Sequence, residues 1–101
     1  MRVLIAEADD IVSGFYSTLL EHHKIDSVLC HTVEDAVASY KECKPDVTIV
    51  CMRLPKEKHS PDMEIGEGFT AIKKIDPDSK VLAISGGLHL CLLTKIKTFC
   101  V

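Results

Sequence analysis

Three short stretches carry the side chains best suited to chemistry. Glu7, Asp9 and Asp10 crowd carboxylates just after an apolar run; such a group suits a hard cation or the free amides of a helix start. Cys51 lies between a β-rich run and Met52-Arg53. A thiol placed near helix N-termini can ionise early and serve redox or soft-metal chemistry, and a thiol is equally a small buried apolar group. Ser85-Gly86-Gly87 joins a hydroxyl to unhindered amides, a combination found both in anion-binding nests and in plain turns. Gly66-x-Gly68-x-x-Ala71 has the outline of a dinucleotide fingerprint, yet a polar loop precedes it where a strand is required. No GxxxxGK, GxSxG, HExxH or EF-hand pattern occurs, and the chain is not expected to be an enzyme.

Alternating strands and helices position these stretches. Val3-Leu4-Ile5-Ala6 is a short apolar run of the kind buried on both faces of a sheet. Apolar residues at 11, 12, 15, 16, 19 and 20 predict a helix over Ile11 to Lys24, capped by Asp9 or Asp10. Asp26 to Cys30 is a second, weaker strand. Thr32 and Asp35 then open a helix over Val33 to Cys43 with the spacing of a capping box, and Val33, Ala36, Val37 and Tyr40 share one of its faces. Pro45-Asp46 ends it, and Val47 to Met52 is the third strand.

Leu54 to Glu67, with Pro55, Pro61 and a run of charges, has the composition of a loop. Phe69 to Ile75 is a short helix stopped by Asp76-Pro77, and Lys80 to Ile84 a fourth strand. Leu88, Leu92, Ile96 and Phe99 align as one face of a last helix over Leu88 to Val101. Such alternation implies a parallel sheet with helices on both faces, and functional groups beyond the carboxyl ends of its strands. Those ends hold the three stretches above. Val3, Leu4, Ile5, Ile49, Val50, Leu82 and Ile84 are the expected core.

Composition narrows the function classes. At 101 residues and 47% hydrophobic, the chain suits one folded domain. Its net charge of −3 leaves no basic footprint for nucleic acid. No apolar run approaches the roughly 20 residues of a membrane span, and the N-terminus is too short for a signal-peptide core, which together predict a cytoplasmic protein. Cysteines at 30, 43, 51, 91 and 100 form no CxxC, and the five histidines form no zinc-spaced cluster. The thiols are expected to be mostly small buried groups. His22 and His23, as helix neighbours, should point apart.

The same three clusters resemble the receiver domains of bacterial two-component response regulators, the CheY-like family. Val3 to Ala6 followed by acids is similar to the family's first strand and acidic pair. Pro45-Asp46-Val47-Thr48-Ile49-Val50-x-Met52-Arg53-Leu54-Pro55 resembles its third strand with the closing proline, Gly68-Phe69 the start of its third helix, and Lys80 to Ser85 its fourth strand with the switch hydroxyl. The match runs in order from about Arg2 to Gly87. It implies a flavodoxin-like three-layer α/β fold with a parallel sheet ordered 2-1-3-4. The fifth strand and its lysine have no counterpart, so 1–101 is expected to be a single receiver-like domain that is truncated or divergent after about residue 87.

The resemblance also marks departures. Cys51 stands at the position of the phosphoacceptor aspartate, and Ala8 where the second acid of the pair would be. Glu7 and Asp9 remain as an acidic pocket, and Ser85 keeps the switch hydroxyl. Magnesium holds on through carboxylate oxygens, so its binding is expected to be weak or absent, and no metal, cofactor or catalytic residue is assigned. Ordinary aspartyl phosphorylation is not expected. The first expectation is a degenerate receiver acting on a protein partner in a phosphorelay pathway. The alternatives are a phosphoacceptor using a displaced acid such as Asp9 or Asp46, and a thiol-based redox or soft-metal sensor at Cys51. With no fifth strand, Lys80 to Ile84 becomes an open edge, and a homodimer through that edge and the tail from Leu88 to Val101 is expected.

Overall fold

In the computed structural model, residues 1–84 and the strand 99–100 are described. Strands β1 (Arg2–Ala6), β2 (Asp26–Cys30) and β3 (Val47–Cys51) are linked through helices α1 (Asp10–His22) and α2 (Val33–Cys43). A short hairpin, β4 (Arg53–Pro55) and β5 (Met63–Ile65), leads to α3 (Glu67–Ile75), β6 (Val81–Ile84) and β7 (Phe99–Cys100). The main sheet is parallel in the order β2-β1-β3-β6-β7. Its first four positions reproduce the expected 2-1-3-4 order of a flavodoxin-like α/β fold. Among the described residues, no helix is long and apolar enough to cross a membrane.

The first two helices start where their sequence provides a cap. The Asp9 carboxylate accepts from the amides of Ile11 and Val12, at 2.8 and 3.3 Å, which resolves the choice between Asp9 and Asp10. Thr32 Oγ1 accepts from the amide of Asp35 at 3.0 Å, one half of the capping box. The third helix opens on Gly66 instead, whose φ of +77° is a conformation that a side chain would oppose.

The main core lies between the sheet and the α2–α3 layer. Leu4, Ala6, Cys30, Val50, Val81 and Ala83 of the strands meet Val33, Ala36 and Tyr40 of α2 and Phe69 and Ile72 of α3. Val37 is half-buried, at the flank of the face it was expected to share. Leu54 is fully buried because β4 turns it inward, so the stretch expected to be plain loop contains a two-stranded antiparallel sheet.

Further expectations change. Phe99–Cys100 fills the fifth strand position, parallel to β6 with Leu82 beside Phe99 and Ala83 beside Cys100. An aromatic residue suits a strand that can complete an open backbone edge. The free edge on which a Lys80–Ile84 dimer was expected is therefore taken up by β7. The rest of that expectation, the tail helix face at Leu88, Leu92 and Ile96, lies outside the described residues. Ile49 and Leu82 are only half-buried, since their strand face is the one that α1 alone covers among the described helices.

The apolar pattern of α1 does not describe one buried face. Ser13 is buried and Ser17 and Leu20 half-buried against the sheet, while Ile11, Phe15 and Leu19 are exposed. Lastly, the rings of His22 and His23 approach edge-to-face at 5.5 Å rather than pointing apart. His23 has left helical geometry as the C-cap, with φ −94° and ψ 12°.

Candidate functional site at the carboxyl ends of the strands

The carboxyl ends of β1 and β3 bring Glu7 and Cys51 together. Parallel pairing sets the ends of the two strands side by side, with Ala6 opposite Val50. Glu7 is anchored by its backbone: its amide donates to the Cys30 carbonyl at 3.0 Å, and its carbonyl meets His31 Nδ1 at 2.8 Å. Its carboxylate accepts from the Asp9 amide at 3.2 Å. Asp9 thus joins the pocket through its backbone, while its own carboxylate caps α1. Ala8, half-buried against the main core, brings no oxygen to this place.

The Cys51 thiol is half-buried, and burial is the main reason its pKa is raised. The neighbouring Glu7 carboxylate pushes the same way, by its charge and by a hydrogen bond that favours the protonated thiol. The Arg53 amide and guanidinium pull in the other direction without prevailing. Cys51 therefore stays a neutral thiol at neutral pH, the opposite of an activated nucleophile. Cys30 is fixed more firmly still: burial raises it to about 12, and its Sγ lies 3.5 Å from the Ile5 carbonyl. Cys30, Cys43 and Cys51 are free thiols.

Two site residues escaped the sequence reading. Tyr16 projects from α1 toward the pocket, and its hydroxyl pKa is raised by burial and then by the charges of Glu7 and Cys51. Its place among the helical apolar spacings hid a polar tip that faces the strand ends. His31 ties three elements together, with Nδ1 on the Glu7 carbonyl and Nε2 3.5 Å from Asp10 Oδ1. A histidine directly after a strand, opposite an acidic strand end, was the available signal. Ser85, the expected switch hydroxyl, lies outside the described residues.

The donor set does not fit a magnesium ion. Glu7 is the one carboxylate of the Glu7–Asp9 pair without a capping duty, Cys51 offers a soft protonated sulfur, and Ala8 offers nothing. Among the described residues, no three His, Cys, Asp or Glu side chains are grouped to hold a metal of any kind. Asp46 is remote from the pocket. Its carboxylate accepts from the Arg2 amide at 2.8 Å, at the amino end of β1.

The architecture is the fold of response-regulator receiver domains. The chain is similar to the signal receiver domain of a LuxO repressor protein from Vibrio parahaemolyticus, with 21% identity and a TM-score of 0.74 over 95% of this chain and 69% of that one. A LuxR-family two-component response regulator from Aurantimonas sp. SI85-9A1 matches at 21% identity and TM-score 0.74, over 93% of this chain and 64% of that one. The non-phosphorylated HemR receiver domain from Leptospira biflexa matches at 20% and 0.74, over 93% and 71%. The chain spans about two thirds of the length of these solved structures. No family model and no curated protein matches the sequence.

Proposed function

We propose that the chain is a degenerate receiver module of a two-component phosphorelay pathway, a non-enzymatic cytoplasmic protein that acts by binding a protein partner. One observation carries this reading: the strand end where the fold would present a phosphoacceptor holds a neutral, half-buried thiol beside Glu7. Phosphoryl transfer depends on a positioned acceptor and on cations that neutralise the developing charge. The acceptor is replaced, and the carboxylates that would hold magnesium are reduced to one. What the fold retains is a rigid parallel sheet presenting surfaces for recognition.

The two alternatives draw less support. Asp46 bonds the Arg2 amide at the far end of the sheet, and Asp9 is engaged as a cap. The raised thiol of Cys51 disfavours a redox or nucleophilic role, and among the described residues no group of three metal-ligating side chains forms around it.

The test is incubation with acetyl phosphate and magnesium, then measurement of the intact mass. The expected result is an unchanged mass, and slow labelling of Cys51 by a thiol reagent near neutral pH. A hydroxylamine-sensitive gain of one phosphoryl group would overturn the reading in favour of a displaced acid. Rapid, selective labelling of Cys51 would overturn it in favour of a thiol sensor.

A further inference from the structure

Where the carboxyl ends of α2 and α3 meet, Tyr40, Lys41, Lys44, Pro45, Ile75 and Asp76 line a cavity of about 360 Å³. Cations at a helix carboxyl end ordinarily serve its free carbonyls, but here other side chains hold that role. The Arg2 guanidinium donates to the Cys43 carbonyl at 3.4 Å, and Lys73 Nζ donates to the carbonyls of Pro77 and Ser79 in the turn after α3. Asp76, the acid of the cavity, is already engaged by the Tyr40 hydroxyl at 2.6 Å and the Asp78 amide at 3.2 Å. Among the described residues, the ammonium groups of Lys41 and Lys44 form neither an ion pair nor a hydrogen bond.

The geometry points to a binding site for a small organic acid, a flat apolar body carrying one carboxylate. Tyr40, Pro45 and Ile75 supply apolar walls, and Ile75 is left 39% exposed on a helix that buries Phe69 and Ile72. The volume falls within the range of small-molecule sites, which join apolar walls to a few placed polar groups. Because the Asp76 carboxylate is committed to two donors, the charge free to select a ligand is that of the two lysines. An anion complements it, and a carboxylate takes charge-assisted hydrogen bonds from both ammonium groups. A cation would be repelled by the same pair, while an anion without an apolar body would leave Pro45 and Ile75 unused. The Tyr40–Asp76 bond spans α2 and the end of α3, so it fixes the two sides of the cavity relative to each other. The cavity lies at the opposite end of the sheet from Glu7 and Cys51 and stands apart from the proposed function.

Titration of the full chain with cinnamate, followed in its amide NMR spectrum, tests the proposal. Saturable shifts should centre on residues 40–46 and 75–78, with a dissociation constant of about millimolar order, as suits a ligand of this size. Cinnamamide, which has the same shape without the charge, should bind at least roughly threefold more weakly, and added salt should weaken cinnamate alone. The double variant Lys41→Gln, Lys44→Asn should lose a similar factor with an unchanged far-UV circular dichroism spectrum, since both side chains are exposed and asparagine tolerates the left-handed backbone of Lys44, φ 46°. Lys24→Gln, on a distant turn, should bind cinnamate as the parent does. Shifts that never saturate, or that centre on the exposed side of α1, overturn the proposal. Equal binding of cinnamamide, or undiminished binding by the double variant, overturns it by removing the lysines from recognition.

Discussion

Replacing Tyr40 by Phe should reverse sign with pH. The Tyr40 hydroxyl donates to Asp76 Oδ2 at 2.6 Å, tying α2 to the turn that leads into β6. Burial, then this bond and the charge of Asp76, raises its pKa from 10.0 to about 12. At neutral pH the variant loses a hydrogen bond to a charged group, worth about 1.5–3 kcal/mol. The Asp76 carboxylate keeps the Asp78 amide at 3.2 Å and is partly solvated, so the lower end, about 1.5–2 kcal/mol, is expected.

Above pH 10 the phenol of the unfolded chain has released its proton, while the folded one retains it up to about 12. The unfolded state then binds fewer protons, so stability falls as pH rises through this window. The stabilisation is fully present below pH 10 and lost by about 12. At roughly 1.36 kcal/mol per decade of shift the loss is ~2–3 kcal/mol, and the phenylalanine variant does not incur it. Cys30, raised from 9.0 to about 12, weakens both proteins alike and cancels in the comparison. Urea midpoints from neutral to strongly alkaline pH should therefore show the parent ahead at first and level with or behind Tyr40→Phe near the top of the window. Curves that fall in parallel above pH 10 would refute the Tyr40–Asp76 coupling.

Burial and backbone geometry support three shorter predictions. Gly14→Ala should stabilise by about 0.5–1 kcal/mol, because a methyl there meets nothing within 4 Å and a mid-helix glycine carries an entropic cost; a lowered melting temperature would mean that α1 sits closer to its neighbours than this spacing allows. Ile5→Ala should cost about 2–5 kcal/mol and Ile49→Ala roughly half as much, in keeping with full and partial burial; equal losses in denaturant titrations would contradict the uneven cover of that sheet face. Restoring two acids with Cys51→Asp and Ala8→Asp should raise magnesium affinity, read by isothermal titration; no gain over the parent would show that the site is misplaced.

The strands, the starts of α1 and α2 and the parallel pairing were legible in local chemistry, whereas the strand order followed from the family resemblance. Val3 to Ala6 and Val47 to Cys51 suit only buried strands, Asp9 and Thr32 suit the N-caps of α1 and α2, and alternation of the two element types dictates parallel pairing. The place of Cys51 at the end of the third strand was likewise readable.

Tertiary structure alone decided the rest, because those features depend on which neighbour happens to cover a residue. The apolar spacings of α1 are compatible with several rotations of the helix about its axis. Packing against Ser27 and the strand ends selected the one that buries Ser13 and exposes Phe15. The hairpin around Leu54 and the fifth strand at Phe99–Cys100 arise from backbone pairing that the apolar pattern of neither segment specifies. Tyr16 and His31 joined the site for the same reason: sequence spacing places a residue on an element, whereas only the assembled sheet determines which charges it faces.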